Sequence, residues 1–269
     1  MRNKKGFSYT CFKGIKGIVK FFYPKIEMRG LEKLPQEPSI IVANHCQLNG
    51  PIIGELYFPE NKTIWCAGPL VHFKEVPDFA YNDFFKFKPK YTKLFWRIVS
   101  YLMAPIFPFF FKNADTIPVY RDTRVVSTLK NTVKALEEGK NVVIFPESFE
   151  EENNVMNKLN EGFVDIGKLY YKRTGKLLAF VPMYIAPTLK KTYIEEPIYF
   201  NPSQPIKEER ERLCAYLTDK ITQTARELPR HLVIPHDNIP RKLYSYNKEI
   251  ETLNTEMIDN TNEIKEKYV

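Results

Sequence analysis

Apolar residues in this chain follow two rhythms, and the switches between them outline its elements. Phe12, Ile15, Val19 and Phe22 recur at spacings of three and four, which predicts a helix over residues 8–23 that Pro24 ends. Lys13, Lys16 and Lys20 fall on its flank, so the helix is basic as well as amphipathic and suits a bilayer interface or a place on the domain surface. Short apolar runs rich in β-branched residues then predict buried strands at Ile40-Ile41-Val42, Thr63–Ala67, Thr116–Tyr120, Asn141–Phe145 and Leu177–Ile185. Helical periods separate most of them. Residues 52–57, 125–138, 162–172 and 206–227 read as helices, with Val126, Leu129, Val133 and Leu136 on one side of the second and Gly139 as its C-cap. In the last, Leu213, Leu217, Ile221 and Ala225 face inward. Alternation of this kind predicts an α/β fold, a mostly parallel central sheet flanked by helices. Lys25–Leu34 reads as a short strand and turn, and Tyr193–Phe200 as an edge strand that Pro197 keeps off the centre.

Three stretches depart from the alternation. Residues 68–93 are aromatic, rich in Lys and interrupted by Pro69, Pro77 and Pro89, so they read as a covering loop with short helical pieces. Leu94–Phe111 is the most apolar segment and approaches a membrane span in length. Arg97, Pro105 and Pro108 interrupt it, which favours a helix buried in the domain, or one dipping into a single leaflet with Lys93 and Lys112 among the headgroups. Beyond Pro240 the chain turns polar, and Ile250, Leu253, Met257 and Ile264 keep only a weak heptad spacing. The expected organisation is therefore a membrane-facing amphipathic helix over 1–25, an α/β domain over 26–235, and a polar tail or helix over 236–269.

Composition adds a partner class. A formal charge of +8 over 269 residues favours an anionic partner, and 20 Phe with 16 Tyr suit a membrane interface as well as a core. With no recognisable nucleic-acid module in the chain, the charge points to a phospholipid surface. Cys11, Cys46, Cys66 and Cys214 are scattered without metal-ligand spacing and read as reduced thiols of a cytosolic protein, so neither metal nor cofactor is expected. The first residues contain no uninterrupted apolar run, and a cleaved signal peptide is not expected.

Candidate chemistry sits where strands end. His45 follows the Ile40–Val42 run, and Gly50-Pro51 opens a helix with Asn49 or Gly50 as cap, which places a titratable base beside backbone N–H donors. A single histidine in such a place is more often only a hydrogen-bonded loop residue. The remaining strand ends weigh against that plain reading. In order, the chain shows Asn44-His45 with Gly50-Pro51, then Ile117-Pro118-Val119-Tyr120-Arg121, then Ile144-Phe145-Pro146-Glu147, then Val181-Pro182.

In this order and spacing the motifs resemble the glycerolipid acyltransferase family over about residues 26 to 200. The resemblance implies transfer of a fatty acyl group from a carrier thioester, acyl-CoA or acyl-carrier protein, to a hydroxyl of a lysophospholipid-like acceptor. It implies a place at the cytoplasmic face of the cell membrane, peripheral or monotopic. His45 resembles the family's general base. Arg121 resembles the arginine that holds the acceptor's phosphate, with Arg124 assisting, although each also reads as a surface salt-bridge partner. Glu147 resembles the glutamate that positions the acceptor glycerol, Pro146 shapes its turn, and Asn44 and Ser148 complete the expected binding set.

Departures from the pattern are specific. The family carries Asp five positions after the histidine, where this chain has Gly50. That Asp orients the imidazole and stabilises its protonated form. Asn49, Glu55, Glu75, Asp78 and Asp83 are the candidates to stand in. Ser148 takes the place of the family's Gly, and Glu150, Glu151 and Glu152 replace basic residues, which would repel a phosphate unless they face solvent. Two functions therefore stand open, an acyltransferase and a catalytically impaired protein of the same fold with a lipid-binding or regulatory role. What separates them is whether an oxygen lies within hydrogen-bond reach of His45 Nδ1.

Overall fold

The computed structural model describes residues 6–85 and 88–248. Helix α1 (Phe7–Phe22) leads into β1 (Glu27–Arg29), β2 (Ser39–Ala43), α2 (Asn49–Tyr57) and β3 (Lys62–Ala67). Short helix α3 (Val76–Ala80), a π turn at Tyr81–Phe85, α4 (Lys93–Met103) and α5 (Ile106–Asn113) follow. Then come β4 (Thr116–Val119), α6 (Val125–Glu137), β5 (Asn141–Ile144), a hairpin of β6 (Glu147–Glu151) and β7 (Asn157–Leu159), and α7 (Asp165–Thr174). The chain closes with β8 (Ala179–Ala186), β9 (Lys191–Ile194), β10 (Ile198–Tyr199) and α8 (Ile206–Glu227).

The main sheet runs in the order β1-β9-β8-β2-β5-β3-β4. Pairs β2–β8, β2–β5, β3–β5 and β3–β4 are parallel, so these strands end along one edge. Central β2 is buried at every position, and its alternating side chains feed two cores. Ile40 and Val42 pack with Leu136, Phe180, Leu213 and Leu217 under α6 and α8. Ile41 and Ala43 pack with Ile53, Ile64 and Val181 on the side of α2. A strand covered on both faces needs a continuous apolar run, which explains the SIIVA sequence. The α/β expectation thus holds, and α6 ends as read, with Gly139 in the left-handed region at φ 82°.

Differences from the sequence reading each have a local cause. The expected edge strand over 193–200 is two strands, β9 and β10, that take successive positions along β8, with Pro197 in the gap. The β6–β7 hairpin was not anticipated, because ESFEE is polar and exposed along most of its length. Leu94–Phe111 is split at Ala104–Pro105 into two helices, and only 17% of the 18-residue apolar window within Lys90–Asn113 is buried. Pro105 has no N–H to continue α4, whereas Pro108 in the first turn of α5 loses nothing. The split segment therefore leaves much of its apolar surface outward, while Met103, Ala104 and Phe107 pack with Val76 and Ala80. Residues 236–248, expected to begin a polar tail, fold back over the carboxyl edge of the sheet. There Val233 and His231 hydrogen-bond with Ser245 and Asn247. The weak heptad over 250–264 lies outside the described residues.

Candidate active site

Parallel strands deliver their C-terminal ends to one edge, where ligand crevices of open α/β sheets form. Here β2 delivers His45, β5 delivers Pro146-Glu147, and β4 delivers Arg121. The loop after β2 is tight: Cys46 and Gln47 both adopt positive φ, 51° and 55°, a strained state for side-chain-bearing residues. Gly50 N–H donates to His45 O at 3.1 Å and Asn49 N–H to Cys46 O at 3.0 Å, so the loop folds onto the N-terminus of α2. A Cβ at position 50 would sit 2.3 Å from the His45 carbonyl oxygen and 2.9 Å from the Phe145 ring. The position that carries Asp in the sequence pattern has no room for any side chain in this loop.

Asn44 is buried and its amide is used within the scaffold. Its Oδ1 accepts from Ile185 N–H at 2.7 Å and its Nδ2 donates to Ile185 O at 3.1 Å, which ties the ends of β2 and β8 together. Glu147 is 4% exposed, and both carboxylate oxygens accept backbone N–H groups, from His45 at 2.5 Å and from Asn157 at 2.7 Å. One carboxylate therefore clamps the histidine loop to the hairpin. Burial raises Glu147 to about 7 despite those two bonds, and the Asp237 charge adds to the rise. Pro146 O accepts from Asn160 N–H at 2.8 Å, which fixes the turn before Glu147. Ser148 Oγ accepts from Glu150 N–H at 3.1 Å.

The His45 ring packs edge-on against Phe145, with centroids 5.5 Å apart, and against His236, at 4.9 Å. Its Nδ1 is buried without a hydrogen-bond partner, and so is Nδ1 of His236. Burial and the neighbouring His236 lower His45 to about 4, against opposition from the Gln47 backbone and the Asp237 carboxylate. His236 is likewise lowered to about 4 by burial and by Arg121. Both rings are neutral at pH 7.

Arg121 joins this group. Its guanidinium lies 5.3 Å over the Phe149 ring, which in turn touches His236 at 5.4 Å. Among the described residues no carboxylate lies within ion-pair distance of Arg121. Arg124 differs: Asp122 and Glu75 hold its guanidinium, and it lies 4.1 Å over Tyr120. Glu150 to Glu152 are exposed and face solvent, so they do not oppose an anion beside Arg121.

Most candidate replacements for the missing Asp are engaged elsewhere. Asn49 accepts from Tyr23 OH, Glu55 pairs with Lys16, Glu75 with Arg124 and Asp78 with Arg97. Asp83 lies within the site's field, its carboxyl raised by burial and by Asp237 and lowered by Arg121. His236 and Asp237 were missed by sequence reasoning. The available signal was a His-Asp pair between Pro235 and Pro240, two turn-forming residues in an otherwise polar stretch.

Residues 93–186 match the family model described as Acyltransferase. No curated protein matches the chain. Among solved structures, the 1-acyl-sn-glycerophosphate acyltransferase PlsC of Thermotoga maritima is 18% identical, with 85% of this chain and 84% of that chain covered and a TM-score of 0.44.

Proposed function

The chain resembles the glycerolipid acyltransferase family, and from that premise we propose that it transfers a fatty acyl group from a carrier thioester to a hydroxyl of a lysophospholipid-like acceptor. One observation carries the reading: His45, Glu147 and Arg121, drawn from three strands far apart in sequence, meet at one sheet edge beside an Acyltransferase-matching segment. His45 is the base. It is neutral at pH 7, and with Nδ1 sealed in the protein, Nε2 is the nitrogen left for the acceptor hydroxyl. As the acceptor oxygen bonds to the thioester carbon, its proton passes to His45. When the C–S bond breaks, the same proton leaves with the thiolate. Arg121, with no carboxylate within ion-pair distance among the described residues, receives the acceptor's phosphate in a bidentate fork. Glu147 holds the histidine loop in register and takes no part in the proton transfer.

The acceptor reaches the site from a membrane. Helix α1 packs on α5 through Phe12 and Phe110, and together with α4 it leaves Phe21, Phe22, Leu94 and Leu102 exposed. Such a surface, flanked by Lys13, Lys20 and Lys93, suits the cytoplasmic leaflet. A second reading, an impaired relative that binds lipid, is favoured by the unpartnered Nδ1 and by Gly50.

Turnover separates the two. Purified protein with anionic vesicles is offered acyl-CoA or acyl-carrier protein together with several lysophospholipids. The expected result is ester product, with His45→Ala reducing kcat by about 10³-fold. Wild-type turnover in the His45→Ala protein would remove His45 as base. No turnover in the unaltered chain, with lipid binding retained, would establish the second reading.

A further inference from the structure

Gly50 leaves the family's carboxylate position empty by geometry as well as by sequence, since a side chain there would collide with the His45 carbonyl. Yet a histidine that accepts a proton in a buried setting must have its new charge balanced. The balancing group has to come from another element, and the segment held against the His45 loop shows which.

After α8 the chain crosses the sheet edge and returns. It is pinned at its base by His231, whose Nε2 meets Tyr184 OH at 2.7 Å, and by Asn247, which bonds Ala225 O at 2.7 Å and accepts from His231 N–H at 2.8 Å. At its tip it is pinned to the loop after β2 and to the π turn at Tyr81–Phe85. Gln47 Nε2 donates to Asp237 O at 2.8 Å, Tyr244 OH donates to Gln47 Oε1 at 3.1 Å, and Asn238 Nδ2 donates to Asp83 O at 3.1 Å. His236 is thereby wedged between His45 and Phe149. The next residue is a carboxylate.

We propose that residues 229–248 are a strap that completes the catalytic centre, and that Asp237 is the positioning residue whose carboxylate balances the His45 imidazolium. This assignment rests on the acyl-transfer reading. The other charged or titratable groups in the cluster do not serve. Glu147 has both oxygens committed to backbone N–H groups, the charge of Arg121 acts on Asp83, and His236 and Arg121 have the wrong sign or none. Asp237 also opposes the lowering of His45 by burial, as a counter-charge does. During transfer the proton moves from acceptor hydroxyl to His45 and then to the thiolate, while Asp237 keeps its charge throughout. His236 supplies the wall that fixes the ring's direction.

The test compares Asp237→Asn and Asp237→Glu with the unaltered full chain, using oleoyl-CoA and lysophosphatidate in phosphatidylglycerol vesicles. In parallel, the His45 ring is titrated by NMR in the whole protein, and urea midpoints check folding. Asp237→Asn is expected to lower kcat about 10²-fold with KM within about twofold, and to move the His45 titration to lower pH. Asp237→Glu is expected to recover most of both. An Asn variant with unchanged kcat and unchanged His45 titration would overturn the assignment, as would a Glu variant no better than Asn. Absence of turnover in the unaltered chain would instead overturn the acyl-transfer reading, and the titration would still judge Asp237.

Discussion

At residue scale, the site departs from the sequence pattern it resembles where Gly50 meets His45. Restoring the family's residue is the intuitive repair, but the Cβ has only 2.3 Å to the His45 carbonyl oxygen. Overpacking of that kind typically costs about 1–3 kcal/mol. Gly50→Asp is therefore expected to lower the urea midpoint by about 2 kcal/mol of stability and to leave kcat no higher than in the unaltered chain. A Gly50→Asp protein that gained activity would show that the loop yields and that position 50 still matters to the base. The positive φ at Cys46 and Gln47 belongs to the same economy of space, since the loop turns sharply with ordinary residues. It is held there by Asn49, whose Nδ2 bonds Cys46 O at 3.2 Å.

At element scale, the ends of β2 and β5, the hairpin and the strap share one buried set of protons, and stability should report it. His45 and His236 are held near 4 from an ordinary 6.5, so between those values the unfolded chain carries two protons that the folded chain does not. Their contribution is complete above about 6.5 and is lost as pH falls toward 4. Glu147 works the other way. Raised from 4.5 to about 7, it holds a proton in the folded chain that the unfolded chain has released, so its contribution is complete below 4.5 and fades as pH rises toward 7. The raised Asp83 and Asp237 act with Glu147 and the lowered His231 acts with the two histidines, so stability is expected to drop on acidification through this window by no more than about 1 kcal/mol per pH unit. Denaturant midpoints between pH 7 and pH 4.5 measure it. His236→Gln should flatten the slope, and a slope unchanged in that variant would contradict a buried neutral His236.

The same elements show what the amino-acid pattern discloses. Strands β2, β5 and β8 are legible because burial on both faces demands uninterrupted apolar runs, and the strand-end motifs place His45, Glu147 and Arg121 together before any coordinates. The hairpin is not legible, because its polar residues satisfy one another and solvent without a period. The strap is not legible either. Its role comes from contacts between residues nearly two hundred positions apart, such as Gln47 with Asp237, which no local periodicity encodes. Arg124 shows the converse limit: it sits in the expected motif, but Asp122 and Glu75 beside it already hold its charge.

At the scale of the whole molecule, the apolar residues left outside matter most. Phe21 is 82% exposed and Leu94 74%, and both belong to the group of α1, α4 and α5. Helix α4 has 11 residues, about 16 Å at 1.5 Å per residue, roughly half of a 30 Å hydrocarbon core. That length suits a helix lying in one leaflet. Sedimentation with anionic vesicles should pull down the intact protein, and added salt should weaken binding without abolishing it, since apolar area and charge both contribute. Replacing Phe21, Phe22 and Leu94 together by Ser should lower the vesicle affinity at least tenfold, given about 1.5–3 kcal/mol per large side chain fully transferred. Unchanged pull-down would place the lipid-facing surface elsewhere.

The strap also sets an order of events during synthesis. A nascent polypeptide that has emerged as far as Glu227 already holds every described strand of the sheet, yet one wall beside His45 is still missing until the following twenty-one residues arrive. A chain cut off before that point would lack the His236 ring beside His45 and the bonds that join Gln47 to Asp237 and Tyr244.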